Sequence, residues 1–259
     1  MRFGEAMRRA QGTDWVIPRY YKYLQGRRNH ADEAMHTAVL LVRPERDRTR
    51  SFSASGAGGC LRSRIFSWLN APAKPHSDDT MAIFLNGHWV HMRHQVVGLT
   101  AGYLQAAEVP VNREDLNLRG TMDAIAIDGV PVEYKSINQN GFSRISSFGV
   151  EEMHLEQTHS YMLAGGYDSF RVVYENKNTN HLKEFHVKRD EAIIDKVMND
   201  LTALNESIRT EELPEVLDEC AQKTGRYRYC PFASVCLKAN FQELKERLGT
   251  RATSSSESD

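Results

Sequence analysis

The sequence predicts an α/β protein with a central mixed sheet flanked by helices, and three observations lead there. Short β-prone runs, Gly120 to Ile127, Val132 to Ile137, Phe170 to Tyr174 and Leu182 to Val187, are interleaved with helix-period stretches rather than grouped apart. The chain has 259 residues, 41% of them hydrophobic, and no internal repeat, which suits the core of one elaborated domain. No apolar run reaches the roughly 18 to 20 residues that a bilayer requires, so a membrane partner is not expected.

The elements follow in order. The first fifty residues mix aromatics (Trp15, Tyr20, Tyr21, Tyr23) with bases and an apolar run, Ala38 to Val42, and yield no firm assignment. Ser53 to Gly59 is a turn-rich loop ending at Cys60, and Leu61 to Leu69 is helix-compatible. A longer helix is predicted to start near Ser77-Asp78-Asp79-Thr80, where capping residues precede an apolar stripe at Met81, Leu85, Trp89, Met92, Val96 and Leu99. The turn signal Asp128-Gly129 joins the first two strands into a hairpin. A helix from about Val150 to Ala164 stops at Gly165-Gly166, and another covers Arg189 to Ile208. The Ser/Thr-rich end, 249–259, reads as a disordered tail. The expected organisation is therefore one domain, 1–248, in which 76–208 form the core and 1–75 with 209–248 add helical parts.

The net charge of -1 conceals a split, since residues 1–64 hold thirteen Lys/Arg against six Asp/Glu. Arg43 to Arg50 could track phosphates, or form a solvated, partly self-neutralised loop. The opening residues lack the apolar stretch of a secretory signal, which suggests the cytoplasm. In that reducing compartment Cys60, Cys220, Cys230 and Cys236 are better read as metal or cluster ligands than as disulfides.

Strand side chains alternate faces, so Glu133 and Lys135 project to the same side. Asp123 joins them only across a hairpin loop with an odd count. A loop such as Asp128-Gly129-Val130 would pair Asp123 with Lys135, whereas a two-residue loop would set Asp123 opposite Tyr134. Two converging carboxylates suit Mg²⁺ or Mn²⁺, and a lysine beside them can orient water or steady developing charge. The bland alternative is a surface salt-bridge network. Gln157 and Tyr161, four apart, share a helix face that suits contact with a nucleotide or phosphate.

Several blocks resemble, in order, the RecB-like PD-(D/E)XK nucleases, a family that includes CRISPR-associated and phage exonucleases. Ser55 to Arg62 resembles an S-x₄-C-x-R element, Gly87 to His91 a G-x₃-H motif, Gly120 to Asp123 with Glu133-Tyr134-Lys135 the G-x-x-D and E-x-K motifs, and Gln157 to Tyr161 a Q-x₃-Y motif. With the cysteines, the blocks span about 70% of the chain. The resemblance implies a restriction-endonuclease-like core with Asp123, Glu133 and Lys135 as catalytic residues. His91, Asp123, Glu133 and the backbone carbonyl of Tyr134 would be the Mg²⁺ or Mn²⁺ ligands, and Gln157, Tyr161 and Arg62 would position DNA. His88 and His94 lie one turn either way from His91, and only the motif selects among the three.

The same resemblance implies a [4Fe-4S] cluster on Cys60, Cys220, Cys230 and Cys236, a clasp joining the two ends of the chain. The family's late spacing is C-x₂-C-x₅-C, whereas this chain has C-x₉-C-x₅-C, which leaves Zn²⁺ in a Cys₄ site, or a free Cys220, as alternatives. Arg226-Tyr227-Arg228-Tyr229 beside it is either a single-strand contact or a solvated rim.

The implied activity is DNA exonuclease in recombination, repair or replication, in a bacterial cell or phage-infected host. The implied substrate is DNA with a single-stranded end, and a recombination or helicase partner would fit. A CRISPR adaptation-type trimming nuclease and a non-catalytic DNA-binding module are the competing readings.

Overall fold

The computed structural model describes residues 14–26 and 50–246. The apolar run 38–42, most of the basic segment 43–50 and the tail 249–259 lie outside the described residues. Among those described, no helix is long and apolar enough to cross a membrane.

A six-stranded mixed sheet forms the centre of the fold. In chain order the elements are α1 (Val16–Gly26), β1 (Phe52–Ser53), α2 (Leu61–Trp68), α3 (Asp78–Thr100), β2 (Leu104–Arg113), β3 (Leu118–Ala126), β4 (Pro131–Ile137), α4 (Gln139–Phe148), α5 (Glu152–Gly165), β5 (Ser169–Asn176), β6 (Leu182–Lys188), α6 (Glu191–Thr210), α7 (Asp218–Ala221) and α8 (Ala233–Cys236). The pairs β2–β3, β3–β4 and β5–β6 are antiparallel, whereas β1–β3 and β4–β5 are parallel. The parallel step from β4 to β5 is bridged by α4 and α5, as a crossover connection demands.

Each face of the sheet is covered. On one side Ala124, Ala126, Val132, Tyr134 and Val173 pack against Val16, Tyr20 and Tyr23 of α1 and Val97 of α3. On the other, Phe170, Val172 and Tyr174 meet Leu155 and Met162 of α5 and Val197 and Leu201 of α6. The α1 layer is tied down by Glu184 of β6, whose Oε2 accepts the N–H groups of Trp15, Val16 and Ile17 at 2.8, 2.7 and 3.1 Å. A buried carboxylate at a helix N-terminus satisfies donors that the helix cannot.

The long helix begins where its cap was predicted, since Ser77 accepts from the N–H of Thr80. Its apolar stripe behaves differently from the expectation. Met81, Leu85 and Trp89 are each more than half exposed, and burial starts at Val90 and continues through His94, Gln95, Val96 and Val97. Only the second half of α3 has a sheet beneath it, so periodicity placed the helix but not its contact. β2 and α4 were not anticipated. β1, from the segment before residue 76, adds a parallel strand to the central sheet.

Candidate active site

The hairpin loop decides where Asp123 points. Ala126 N–H donates to Val130 O at 3.0 Å, closing a three-residue loop of Ile127, Asp128 and Gly129, with Gly129 at φ +82°. Arg171 of β5 holds the Asp128 carboxylate with two hydrogen bonds, 2.9 and 2.7 Å, which pins that turn. The count is odd, as the site required, but the register differs from the one drawn from sequence. Ala124 pairs with Val132 and Ile125 with Pro131, so the next step sets Asp123 against Glu133 rather than against Lys135.

Beyond that step the strands part. β2 occupies one edge of β3 along its whole length, so β1, at Leu118 and Arg119, and β4, at Ala124 and Ile125, share the other. Residues 120–123 lie in the gap between them. Side chains take over there. Asp123 Oδ2 accepts the N–H of Tyr134 at 2.8 Å, and Tyr161 donates its hydroxyl to Thr121 O at 2.9 Å. Gly120 is required for this arrangement, because a Cβ on it would stand 2.6 Å from the Tyr161 ring and 2.9 Å from Ala54 Cβ.

The predicted triad converges in this gap, at one end of a cleft of about 830 Å³. Lys135 Nζ donates to Glu133 Oε1 at 2.7 Å and to Gln157 Oε1 at 2.8 Å, while Gln157 Nε2 donates to Glu133 Oε1 at 2.7 Å. Gln157 therefore braces Glu133 and Lys135 from α5. Tyr161 is 3% exposed, stacked on Phe170, supports Gln157 and Thr121, and is among the residues that line the cleft.

The three histidines of α3 separate cleanly. His91 Nδ1 lies 3.2 Å from Asp123 Oδ1. His94 is buried, stacked on the Tyr134 ring and 2.7 Å from Glu175. His88 lines the cleft. Four residues after His91, Gln95 donates to Asp123 O and to Glu108 Oε1, both at 2.8 Å. Glu108, on β2, also lines the cleft and was missed because β2 was missed.

Burial and charge split the acids. Burial opposes ionisation of Asp123, but His91, Lys135 and the Tyr134 N–H outweigh it and hold the carboxyl below the usual range. Burial, then repulsion from Asp123, push Glu133 up to about 7 against the pull of Lys135 and His91. His91 is lowered by burial but lifted more by Asp123, so it sits above its ordinary value. Glu133 Oε2 is buried without a hydrogen-bond partner, which costs about 1–3 kcal/mol if nothing else meets it. Among the described residues, no group of three or more His, Cys, Asp or Glu side chains forms a preformed metal cage.

Arg62 was expected to position DNA, and the structure corrects this. Its guanidinium donates to Cys236 O at 3.2 and 2.9 Å and to Pro214 O at 2.7 Å, and the residue is 8% exposed. Two residues on, Arg64 lines the cleft over the Phe52 ring. Burial lowers it to about 10, and Asp200 and Glu156 only partly oppose this.

The four cysteines influence one another's charge, but among the described residues they do not form a group of three or more placed to hold a metal ion. Burial pushes Cys220 up, and the neighbouring thiols of Cys60, Cys236 and Cys230 push it further. Cys236 is raised by burial and by Cys60 and Cys230, with Arg62 opposing. All four are free thiols.

Beside the site, His154 Nδ1 meets the Tyr174 hydroxyl at 2.7 Å, and burial, with Lys135 and Arg144 adding, lowers the imidazole to about 3. Above its unfolded value near 6.5, both states are neutral. Below it only the unfolded chain gains the proton, so this residue's contribution falls as pH drops from about 6.5 toward 3, by up to about 1.4 kcal/mol per unit. The melting temperature of His154→Gln should therefore fall less between pH 7 and pH 5 than that of the wild type; equal falls would reject the assignment.

No family model and no curated protein sequence matches the chain. Among solved structures, it is similar to an alkaline exonuclease, LHK-Exo from Laribacter hongkongensis, at 12% identity and a TM-score of 0.49, over 63% of this chain and 90% of that one. LHK-Exo in complex with dAMP gives 12% and 0.49 over 71% and 94%. SSO0001 gives 16% and 0.49 over 82% and 96%.

Proposed function

We propose that the protein is a divalent-cation-dependent nuclease that hydrolyses phosphodiester bonds of DNA, working from an end. The observation that carries this reading is the acid pair of half-buried Asp123 and buried Glu133, with Glu133 Oε2 unpartnered, beside a lysine held by Glu133 and Gln157. A hard cation takes oxygen donors of this kind. His91, Asp123, Glu133 and the Tyr134 carbonyl would hold Mg²⁺ or Mn²⁺, which when bound polarises a phosphate and acidifies a coordinated water. Lys135, held beside the acids, orients the attacking water or steadies negative charge. Gln157 sets the positions of Glu133 and Lys135, and Arg64 offers its charge to the DNA backbone. DNA is taken as the substrate from the ordered motifs of the sequence.

The four thiols are assigned to a [4Fe-4S] cluster on their all-sulfur chemistry and on the ordered motifs of the sequence. A loop of about 160 residues would then be closed by the metal, so the role is structural. An anaerobic preparation should be brown, with iron and sulfide that vanish in Cys230→Ser. One zinc per chain without visible absorbance would replace the cluster.

The test of activity is loss of end-labelled single-stranded DNA with Mg²⁺ or Mn²⁺ and its preservation with chelator. DNA bound but never cleaved under any divalent cation would leave a non-catalytic binding module.

A further inference from the structure

Glu108 sits in an irregular stretch of β2. Its φ is +54°, a conformation L-residues avoid, and the pairing register shifts between Leu104 and Ala106 just before it. The flanking pairs, Ala107 with Ala124 and Val109 with Met122, leave Glu108 facing Asp123. The β3–β4 register sets Asp123 against Glu133 in turn. Three carboxylates thus occupy one rung across three adjacent strands, and all three line the same cleft.

Like charges directly opposite one another in a sheet repel. Gln95, 1% exposed, ties Glu108 to the Asp123 backbone, so the acids are held together rather than allowed to splay. The independent sign of a ligand is Glu133, 3% exposed, with an oxygen that meets no donor. Lys135 pairs with Glu133, and His91 lies against Asp123. A divalent cation among the carboxylates would favour the ionised form of Glu133.

Resting on the nuclease reading above, we propose that Glu108 is a further cation-holding residue, forming with Asp123 and Glu133 a three-carboxylate rung around one divalent cation. Its role is to raise affinity for the ion and to fix the ion's position on the β2 side of the gap. The strained backbone accompanies this placement: a glycine would accept φ +54° more easily but would bring no carboxylate.

Mn²⁺ binding to the full chain without DNA, followed by the EPR signal of the free ion, tests this apart from turnover. Glu108→Gln and Glu108→Gly should each weaken Mn²⁺ by about tenfold or more, whereas Asn112→Ala, in the same cleft, should not. Glu108→Gly should unfold at or above the wild-type temperature, which separates lost affinity from lost structure. Glu108→Asp, which keeps a carboxylate, should bind between wild type and Glu108→Gln. If Glu108→Gln and Glu108→Gly both bind within about twofold of wild type while Asp123→Asn binds weakly, the assignment of Glu108 fails and the cation site stands. If wild type itself binds no Mn²⁺, the cation-dependent reading fails and takes this inference with it.

Discussion

Asp123→Asn is expected to lower cation-dependent DNA hydrolysis by about 10³-fold or more while leaving the fold intact. The asparagine side chain still offers an oxygen to the Tyr134 N–H, so the junction between β3 and β4 survives. What disappears is the ionised member of the acid pair, the one that His91 and Lys135 keep charged. Repulsion from Asp123 is the second cause of Glu133's rise, so Glu133 should titrate lower in the variant. A titration of the apo protein followed by carboxyl NMR would show this shift. Wild-type turnover by Asp123→Asn would remove the triad from the mechanism. Unchanged titration of Glu133 would show that the two acids do not share a site.

Arg62→Met is expected to cost about 3–5 kcal/mol of stability, through the loss of charge-assisted hydrogen bonds to two carbonyls. The guanidinium binds carbonyls of Cys236 and Pro214, joining α2 to the segment that carries the late cysteines. Each bond from a charged donor contributes about 1.5–3 kcal/mol, and methionine fills the volume but supplies no donor. Thermal or denaturant unfolding of the purified protein measures the difference. A DNA-positioning Arg62 would instead leave stability unchanged and weaken DNA binding, so the two roles give opposite patterns.

Most of the regular elements are visible in the chain because their signals are local. Ser77 caps α3, Gly166 in a left-handed conformation ends α5, and the β3–β4 turn sits at Asp128-Gly129. β2 escaped because its run Leu104–Arg113 mixes Ala, Glu, Pro and Asn, residues with poor strand propensity that hold their place through pairing with β3. With β2 went Glu108. Arg62 and Arg64 illustrate another limit. They are two residues apart on one short helix, equal in charge, and only the neighbours each meets make one a structural strut and the other part of the cleft.

The residue types of the site, and the shared face of Glu133 and Lys135, were determined by sequence alone, since alternation along a strand is a property of the backbone. Whether Asp123 joins them was not, because it depends on the parity of a loop two strands must agree on. In the folded structure the turn closes at three residues between Ala126 and Val130, and Arg171, from a strand more than forty residues downstream, holds its Asp128. The same holds for His91, which chemistry within its helix does not distinguish from His88 or His94. The placement of Asp123 in the gap between β1 and β4 sets its carboxylate against one of them and leaves the others to the cleft wall and to Glu175.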